Sequence, residues 1–336
     1  MTGHAGPNNR RPRPSIYDVA ERAGVSHQTV SRVINGHTNV REATRQRVTK
    51  AMEEINYTPS PVARALATNR SRRIGVILDL PQYHGPNSTL WGVDEAARKA
   101  GYVVASIADR YPANFADSYE QLRAQDIDAL CVIAPRYTRA DMRDVDIPTI
   151  LVAAEPQEGV LTTAVDQYAG ALLAVDHLLD LGHQRIVHIA GFQDWADGRV
   201  RSRAYADRMV EVGLTPYVVV GDWTSDFGYQ LGMREDFPGP ATAVFVGNDQ
   251  MALGLLHGFH ARGIRVPEDV SIVGFDDIPE AKHFAPPLTT VKQDFHALGS
   301  LAVTTLIEAL EGTEPSSTAM IQPDLILRES TAPPAP

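Results

Sequence analysis

Polar side chains follow four strand-like apolar runs in the second half of the chain, at the point where each run ends. The groups are Arg199, Arg201 and Arg203 after RIVHIAG, Gly221, Asp222 and Trp223 after YVVV, Gly247, Asn248 and Asp249 after TAVFV, and Phe275, Asp276 and Asp277 after VSIVG. Because the carboxyl ends of parallel strands meet at one edge of a sheet, we expect these groups to face one cleft. Guanidinium, amide and carboxylate groups bond sugar hydroxyls, and an indole covers the apolar face of a sugar ring. The set predicts a site for a polyhydroxyl ligand, and two alternatives stay open: helix capping by Asn248 and Asp249, and a core position for Trp223.

Motifs of the common enzyme classes are missing from the sequence. It contains no phosphate-binding loop ending in Gly-Lys-Ser/Thr, no Gly-x-Gly-x-x-Gly after a strand, no His-Glu-x-x-His and no Cys-x-x-Cys. Asp276 and Asp277 are adjacent carboxylates that suit general acid–base catalysis, but the sequence offers no second partner. His257 and His260 are three residues apart on a predicted helix without further metal ligands, so we interpret them as surface residues. We therefore expect a protein without enzyme activity, metal or cofactor.

Near the N-terminus, the stretch YDVAERAGVSHQTVSRVIN contains two short helical patterns that meet at Gly24. Glycine accepts the left-handed backbone of a tight turn, and Ser26 supplies a side-chain oxygen that caps the second helix. The outward face of this second helix carries four polar side chains: His27, Gln28, Ser31 and Arg32. Such a face suits base edges and phosphates in a major groove, so the pattern predicts a helix-turn-helix. An ordinary helical hairpin with a polar outer face is the alternative.

The distribution of charge separates this head from the rest of the chain. Residues 1–73 contain 13 Lys and Arg against 5 Asp and Glu, a net charge of +8, whereas the remainder contains 18 against 36, a net charge of −18. A basic head on an acidic body is typical of a DNA-binding module joined to another domain. The single cysteine, Cys131, is typical of a reducing compartment. Without an apolar run of 18 residues or a signal-peptide core, we expect a cytoplasmic, nucleoid-associated protein.

From Ile74 onward, strand-like runs alternate with helical patterns in two successive series. This alternation predicts an α/β body of two doubly wound parallel-sheet lobes behind a small all-α head. Between head and body, Pro59 and Pro61 break the third helix of the head. The following segment, Pro61–Ala67, is too short to form a stable helix alone, so it is either a plain linker or a helix that forms on DNA.

Six blocks, in order along the chain, resemble the LacI/GalR family of transcription regulators: YDVAERAGVSHQTVSRVIN, INYTPSPVARALA, LGHQRI, GNDQMALG, SIVGFDDIPE and PPLTTVKQDF. The resemblance covers about Ser15 to Arg328. It implies a periplasmic-binding-protein-like body, a homodimer whose heads read a pseudo-palindromic operator in double-stranded DNA, and a sugar or glycoside effector between the lobes. The expected domains are an arm (1–14), a helix-turn-helix (15–59), a hinge helix and linker (60–73), a body (74–330) and a tail (331–336). Within the body we expect an N-lobe of about 74–166 and 294–322 and a C-lobe of about 167–292 and 323–330.

The resemblance also implies roles for residues of the head. The base-reading positions are His27, Gln28 and Arg32. Positions that contact the DNA backbone or orient the reading helix are Ser26, Thr29, Ser31 and Asn35, and the expected DNA-binding set also includes Ser15, Tyr17 and Ala63. Leu66 matches the hinge-helix leucine that wedges into the minor groove at the operator centre.

In the body, four residues match the family's sugar-contacting positions, and a fifth lies at the crossover between lobes: Arg201, Trp223, Asn248 and Asp276, with Gln293 at the crossover. The N-lobe side departs from the family, since Ala134 and Ala153 stand where a family member carries an amide and a carboxylate. Tyr83 and His84, after the first N-lobe strand, are candidate substitutes. The tail TAPPAP has no leucine heptad, which predicts a dimer rather than a tetramer.

Three classes of function therefore compete: a sugar-responsive DNA-binding repressor, a transport-type sugar-binding protein and a nucleotide-dependent α/β enzyme. The basic head and the missing signal-peptide core disfavour the transport protein, and the missing phosphate motifs disfavour the enzyme. Two questions stay open: whether the ligand acts as an inducer or as a co-repressor, and whether it is a sugar or another kind of molecule.

Overall fold

The computed structural model describes residues 14–34, 39–57, 70–79, 82–109, 115–134, 136, 139–313 and 318–335. Three residues of the expected DNA-binding set, Asn35, Ala63 and Leu66, lie outside these ranges, as do the expected hinge segment and most of the arm. The chain divides into two compact units after Arg72, and each unit is described by itself.

The first unit contains three helices: α1 (Ile16–Ala23), α2 (His27–Ile34) and α3 (Glu42–Glu54). A capping box begins α1, because Ser15 N donates to Asp18 Oδ2 at 2.7 Å and Asp18 N donates to Ser15 Oγ at 3.4 Å. Gly24 ends α1 in the left-handed conformation, with φ 65°. At the start of α2, Thr29 N donates to Ser26 Oγ at 3.2 Å, as the sequence predicts.

The apolar sides of these helices form a small core of short side chains. Its buried members are Val19, Ala20, Ala23, Val30, Val33, Val48 and Ala51. The residues opposite this core on α2 are left at the surface, so the helix-turn-helix predicted from the sequence is present in the described residues.

The second unit is built from twelve strands and seven α-helices among the described residues. The strands are β1 (Arg73–Asp79), β2 (Val103–Asp109), β3 (Ala129–Ile133), β4 (Thr149–Val152), β5 (Leu161–Val165), β6 (Ile186–Ala190), β7 (Tyr217–Val220), β8 (Ala243–Val246), β9 (Ser271–Asp276), β10 (Thr289–Lys292), β11 (Thr318–Ile321) and β12 (Asp324–Ile326). The helices are α4 (His84–Lys99), α5 (Phe115–Arg123), α6 (Gln167–Asp180), α7 (Ala196–Glu211), α8 (Ser225–Gly232), α9 (Asp249–Ala261) and α10 (Phe295–Leu310).

These strands form two six-stranded sheets, one in each lobe. The N-lobe order is β11-β5-β4-β3-β1-β2 and the C-lobe order is β12-β10-β9-β8-β6-β7. All pairs are parallel except β10 with β12. The chain passes between the sheets after β5, after β10 and after β11. The predicted fold class, an all-α head and two parallel-sheet lobes, is confirmed.

Nearly continuous apolar strands account for this architecture. The central strands β3, β8 and β9 are buried along their whole length, which requires helices on both faces of each sheet. Polar groups can then reach the surface only where the strands end. Among the described residues, no helix has the length and apolar character needed to cross a lipid bilayer.

Replacing Gly24 by alanine should destabilise the head through its backbone alone. A Cβ at this position would meet no atom within 4 Å, so the cost is that of a left-handed residue with a side chain, roughly 1–2 kcal/mol. Hydrogen exchange of residues 16–23 in the full chain should show a lower free energy of opening. Glu53→Ala on the exposed side of α3 is the control, and equal protection in both variants would contradict the assignment.

Candidate functional site

The surface of α2 and its neighbour α1 form the candidate DNA interface in the first unit. His27, Gln28 and Arg32 are exposed, whereas Thr29 and Ser31 are half-buried. The Tyr17 ring is 66% exposed and lies 5.2 Å, centroid to centroid, from the His27 ring. Tyr17 therefore shares the surface that the sequence assigns to base reading.

Two serines of the expected DNA-binding set use their hydroxyls to cap helices of the head. The Ser15 hydroxyl belongs to the capping box of α1, and the Ser26 hydroxyl lies 3.0 Å from Thr29 Oγ1 while accepting from the Thr29 backbone. Both residues are exposed, so their hydroxyls can bond a phosphate only while also capping a helix.

In the second unit, the structure gathers all six predicted effector residues around one cavity between the lobes. They are Tyr83, Arg201, Trp223, Asn248, Asp276 and Gln293. The cavity has a volume of about 40 Å³, enough for only a few water molecules. A sugar ring can therefore enter only if the lobes or the lining side chains move apart.

Arg201 is the central cation of this cavity, and α7 carries it from the carboxyl end of β6. Its Nε donates to Gln167 Oε1 at 2.8 Å and its Nη1 donates to the Gly247 carbonyl oxygen at 2.5 Å. Nη2 lies 3.8 Å from Asp197 Oδ2, and the guanidinium carbon lies 3.9 Å from the centre of the Phe275 ring. The side chain is only 4% exposed, so these contacts fix the guanidinium in place.

A chain of side-chain amides continues from Arg201 to Asp276. Gln167 Nε2 donates to Gln293 Oε1 at 2.7 Å, and Gln293 Nε2 donates to Asp276 Oδ1 at 2.7 Å. Gln167 begins α6 directly after the first lobe crossover, and Gln293 lies at the second. The network therefore joins the cavity to two of the three segments that connect the lobes.

Trp223 forms part of the cavity wall and part of the C-lobe core. Its indole packs so closely on Gly191 that a Cβ there would lie 1.9 Å from the ring. Trp223 and Asp276 both have positive φ, 69° and 112°, a conformation that is uncommon for residues other than glycine. Trp223 therefore fits both interpretations of the sequence: it belongs to the C-lobe core and it also lines the cavity.

The capping alternative holds for Asn248, since Met251 N donates to its Oδ1 at 3.0 Å at the start of α9. Its Nδ2 donates to the Trp223 carbonyl oxygen at 3.0 Å. Asp249 is fully buried and accepts from Thr290 Oγ1 at 2.6 Å and from Ile278 N at 2.9 Å. Asn248 therefore both lines the cavity and caps α9. The hydrogen bonds of Asp249 instead stabilise the ends of β9 and β10.

Asp276 and Asp277 do not form a catalytic pair. Asp276 turns toward Gln293 in the cavity, whereas Asp277 Oδ1 accepts from Arg328 Nη2 at 2.6 Å. The two histidines of α9, His257 and His260, are exposed, and no group of three or more potential metal ligands occurs in the described part of the chain.

Burial shapes the electrostatics of the cavity. It raises the pKa of Asp197 to about 6 and that of Asp276 to about 6, although Arg201 opposes both shifts. Burial likewise lowers the pKa of Arg201. At neutral pH two carboxylates therefore share one guanidinium, which leaves acceptor capacity for the hydroxyl groups of a ligand.

Sequence reasoning missed two residues that line the cavity and one buried ion pair of the N-lobe. Trp195 and Asp197 lie just after β6, on the loop and first turn that also lead to Arg201. In the N-lobe, Asp79 ends β1 and Arg136 follows β3, with Arg136 Nε 2.6 Å from Asp79 Oδ2. Each of the four lies at or shortly after the end of a strand, but the sequence alone does not show that Asp79 and Arg136 pair.

Comparisons with known proteins place the chain in a family. Residues 15–60 match the family described as bacterial regulatory proteins, lacI family, and residues 175–331 match the periplasmic binding protein-like domain. The lactose operon repressor of Escherichia coli (strain K12) is 33% identical over 328 residues, which are 95% of this chain and 91% of that protein. The chain belongs to the LacI family.

Other relatives and solved structures agree with this membership. The HTH-type transcriptional repressor PurR of Haemophilus influenzae (strain ATCC 51907 / DSM 11121 / KW20 / Rd) is 34% identical over 335 residues, covering 94% of this chain and 98% of PurR. A crystal structure of the lac repressor dimer bound to operator and the anti-inducer ONPF superposes with a TM-score of 0.87, at 32% identity, over 96% of this chain and 100% of that one. The complex of the transcriptional regulator CelR with cellobiose gives a TM-score of 0.71 at 29% identity, over 95% of this chain and 100% of that one.

This membership decides among the three classes of function considered above. The chain is a DNA-binding regulator with an effector-binding body, and its relatives are transcriptional repressors rather than enzymes. The transport protein and the nucleotide-dependent enzyme are therefore set aside.

Replacing Arg201 by methionine should destabilise the body strongly. The change leaves the Gln167 and Gly247 oxygens without their donor and the buried Asp197 and Asp276 without a counter-charge, a loss of about 3–5 kcal/mol for one partner of a buried pair. Urea unfolding of the body, followed by tryptophan fluorescence, measures the effect. Arg208→Met is the matched control on the exposed side of α7, where the ion pairs to Asp176 and Glu211 are solvated, so its midpoint should stay near that of the parent. Equal midpoints for both variants would contradict a central role for Arg201.

Proposed function

We propose that this protein is a repressor that binds a pseudo-palindromic operator as a dimer and releases it when a sugar or glycoside binds between the lobes. The observation that carries the proposal is the convergence of six sequence-predicted residues from both lobes on one cavity. Family membership supports the DNA-binding part.

The head supplies affinity and sequence reading. Its net charge of +8 is confined to residues 1–73, so phosphate attracts this part and repels the acidic body. On α2, Arg32 can bond a guanine edge with both guanidinium ends, and Gln28 can bond an adenine edge with its amide. His27, packed against Tyr17, adds a third reader.

The cavity supplies the chemistry for a polyhydroxyl ligand. Asp276 and Asp197 accept hydrogen bonds, Arg201 and Asn248 donate them, and two indoles line the wall. Hydroxyl groups satisfy both acceptors and donors, whereas an apolar ligand would leave these buried groups unpaired at a cost of about 1–3 kcal/mol each.

Ligand binding is coupled to DNA through the spacing of the N-lobes in the dimer. A ligand that contacts both lobes stabilises one interlobe arrangement, because only differential affinity shifts an equilibrium. On the operator, the two heads of the dimer must lie at the spacing of the two half-sites, and this spacing requires a different interlobe arrangement. We propose that the ligand acts as an inducer, and that Pro61–Ala67, including Leu66, transmits the change as a helix that forms on the operator.

Arg32→Ala should weaken operator binding by roughly 1–3 kcal/mol and relax discrimination at one base pair per half-site. Fluorescence anisotropy with a labelled operator and its single-base variants measures both effects. Arg47→Ala, which removes an exposed arginine on the helix outside the reading pair, is the control for charge alone. If Arg32→Ala discriminates all bases as the parent does, Arg32 is not a reader.

Sugar and operator should weaken each other's binding by the same factor, typically about 5- to 150-fold for allosteric couplings of this kind. Calorimetric titration of the sugar with and without saturating operator duplex measures the factor. Asp276→Ala and Trp223→Ala should lose sugar affinity while retaining operator binding in the absence of sugar. Equal sugar affinities with and without operator would refute coupling, and tighter binding on operator would make the ligand a co-repressor.

A further inference from the structure

The cavity between the lobes is lined by more negative than positive charge. Two carboxylates, Asp197 and Asp276, accompany a single guanidinium, Arg201, among the described residues that line it. His84 also lines the cavity, and burial lowers its pKa, so its ring is uncharged at neutral pH. Both carboxylates have a pKa of about 6 and are therefore ionised at pH 7. The lining then carries one negative charge in excess.

The donors of Arg201 are directed mainly at neutral oxygen atoms rather than at these carboxylates. Its Nε and Nη1 donate to the Gln167 amide oxygen and the Gly247 carbonyl oxygen. Its Nη2 lies 3.8 Å from Asp197 Oδ2, and none of the ion pairs among the described residues involves Asp276. Neither carboxylate is therefore neutralised by close contact with the guanidinium.

The two carboxylates also receive few of the hydrogen bonds that would compensate their burial. Asp276 is 8% exposed and accepts from Gln293 Nε2 at 2.7 Å. The Asp197 side chain is 15% exposed, and the described residues provide it with no hydrogen bond. Burial is the main cause that raises the pKa of Asp197, and the negative charge of Asp276 adds to it, so the two groups lie within electrostatic reach of each other. Both oxygen pairs keep unused acceptor capacity.

Two further guanidinium groups near the cleft are already paired with other carboxylates. Arg199 Nη2 lies 3.0 Å from Glu155 Oε2, and Arg136 Nε lies 2.6 Å from Asp79 Oδ2. Neither arginine lines the cavity. The excess charge can then be relieved only by a proton on one carboxylate or by a cation that enters the cavity.

The indoles of the cavity add a second requirement, for hydrogen-bond acceptors. Trp195 and Trp223 line the cavity and are at least 95% buried, and neither indole N–H has an acceptor among the described residues. Ligand hydroxyl oxygens can accept from such N–H groups, and the face of an indole attracts cations as well as apolar ring surfaces. A ligand with several hydroxyl groups and one positive charge meets both requirements.

From this excess of negative charge, and resting on the proposed function, we infer that the effector is a polyhydroxylated amine, such as an amino sugar or an imino sugar, with its protonated nitrogen bound between Asp197 and Asp276. The ammonium group donates to both carboxylates, and the hydroxyl groups meet Arg201 and the indoles. Asp197 determines the preference, because without it one carboxylate would remain for one guanidinium. A neutral sugar leaves the excess charge uncompensated, and a sugar phosphate adds to it.

Calorimetry on the full-length protein at pH 7.0 tests the inference by comparing each amine with its neutral parent. The pairs are glucosamine, 6-amino-6-deoxyglucose and 1-deoxynojirimycin against glucose, and galactosamine against galactose. At least one amine should bind about tenfold or more tightly than its parent, because an opposite charge at contact distance adds to the hydrogen bonds. N-acetylglucosamine, which keeps the nitrogen but not its charge, should lose the gain shown by glucosamine. Amines that all bind no better than their parents would overturn the inference.

Variants of one helix locate the positive charge of the ligand. Asp197→Asn keeps the size of the side chain and removes the excess charge, so the ratio of amine to neutral affinity should fall by about tenfold, toward one. Asp207→Asn is the matched control, since it removes the same charge from the exposed side of α7 and should preserve the ratio. Urea unfolding verifies that both variants fold. An undiminished ratio in Asp197→Asn would overturn the assignment of the nitrogen to this carboxylate pair.

Operator binding separates failure of this inference from failure of the proposed function. If a neutral sugar binds and releases the operator but no amine binds more tightly than its parent, only the inference of an amine fails. If an amine is preferred but leaves operator affinity unchanged, the inference holds and the proposed coupling fails. If no ligand of either kind binds or alters operator affinity, both fail.

Discussion

The buried guanidinium of Arg201 imposes the constraint on which the rest of the cleft depends. A cation at this depth requires acceptors on every side, and the C-lobe provides the Gly247 carbonyl, the Gln167 amide oxygen and the Asp197 carboxylate. These partners come from the ends of β8 and β6 and from the start of α6, so the cation fixes three elements relative to one another. The parallel sheet makes this possible, because its strands all end at the same edge.

The lobes are held together by contacts that are individually weak. Arg199 Nη2 lies 3.0 Å from Glu155 Oε2 and Arg136 Nη1 lies 3.7 Å from Asp194 Oδ2, and both pairs include well-exposed side chains. Solvated ion pairs contribute little free energy, so they can favour a closed cleft without locking it. A small cavity and weak contacts across the cleft are compatible: the cavity has room for only a few water molecules, and a ligand can gain entry by opening the cleft.

The sequence predicted the elements better than it predicted the contacts between lobes. Arg201 and Asp276 were predicted from the polar residues at the strand ends. This works because helices cover both faces of a parallel sheet, so that polar side chains lie mainly where the strands end. Asn248 shows the limit, since one side chain both caps α9 and lines the cavity, and spacing alone cannot separate these roles. Arg136 was missed for a different reason: Asp79 lies 57 residues away in sequence and meets it through the pairing of β1 with β3, and Asp194 lies 58 residues away and meets it across the lobes.

The position of the amide network gives a physical basis for the proposed coupling between the cleft and the operator. Gln167 and Gln293 lie on the crossovers that follow β5 and β10, and they bond each other at 2.7 Å. One of them bonds Arg201 and the other bonds Asp276, so the groups assigned to ligand contact in the proposed function also bond the segments that connect the lobes. A ligand that replaces one hydrogen bond of this amide network changes the hydrogen bonding at the crossovers themselves. The proposed coupling then needs no long pathway through the lobes, because the candidate site and the segments that connect the lobes share the same hydrogen-bonded side chains.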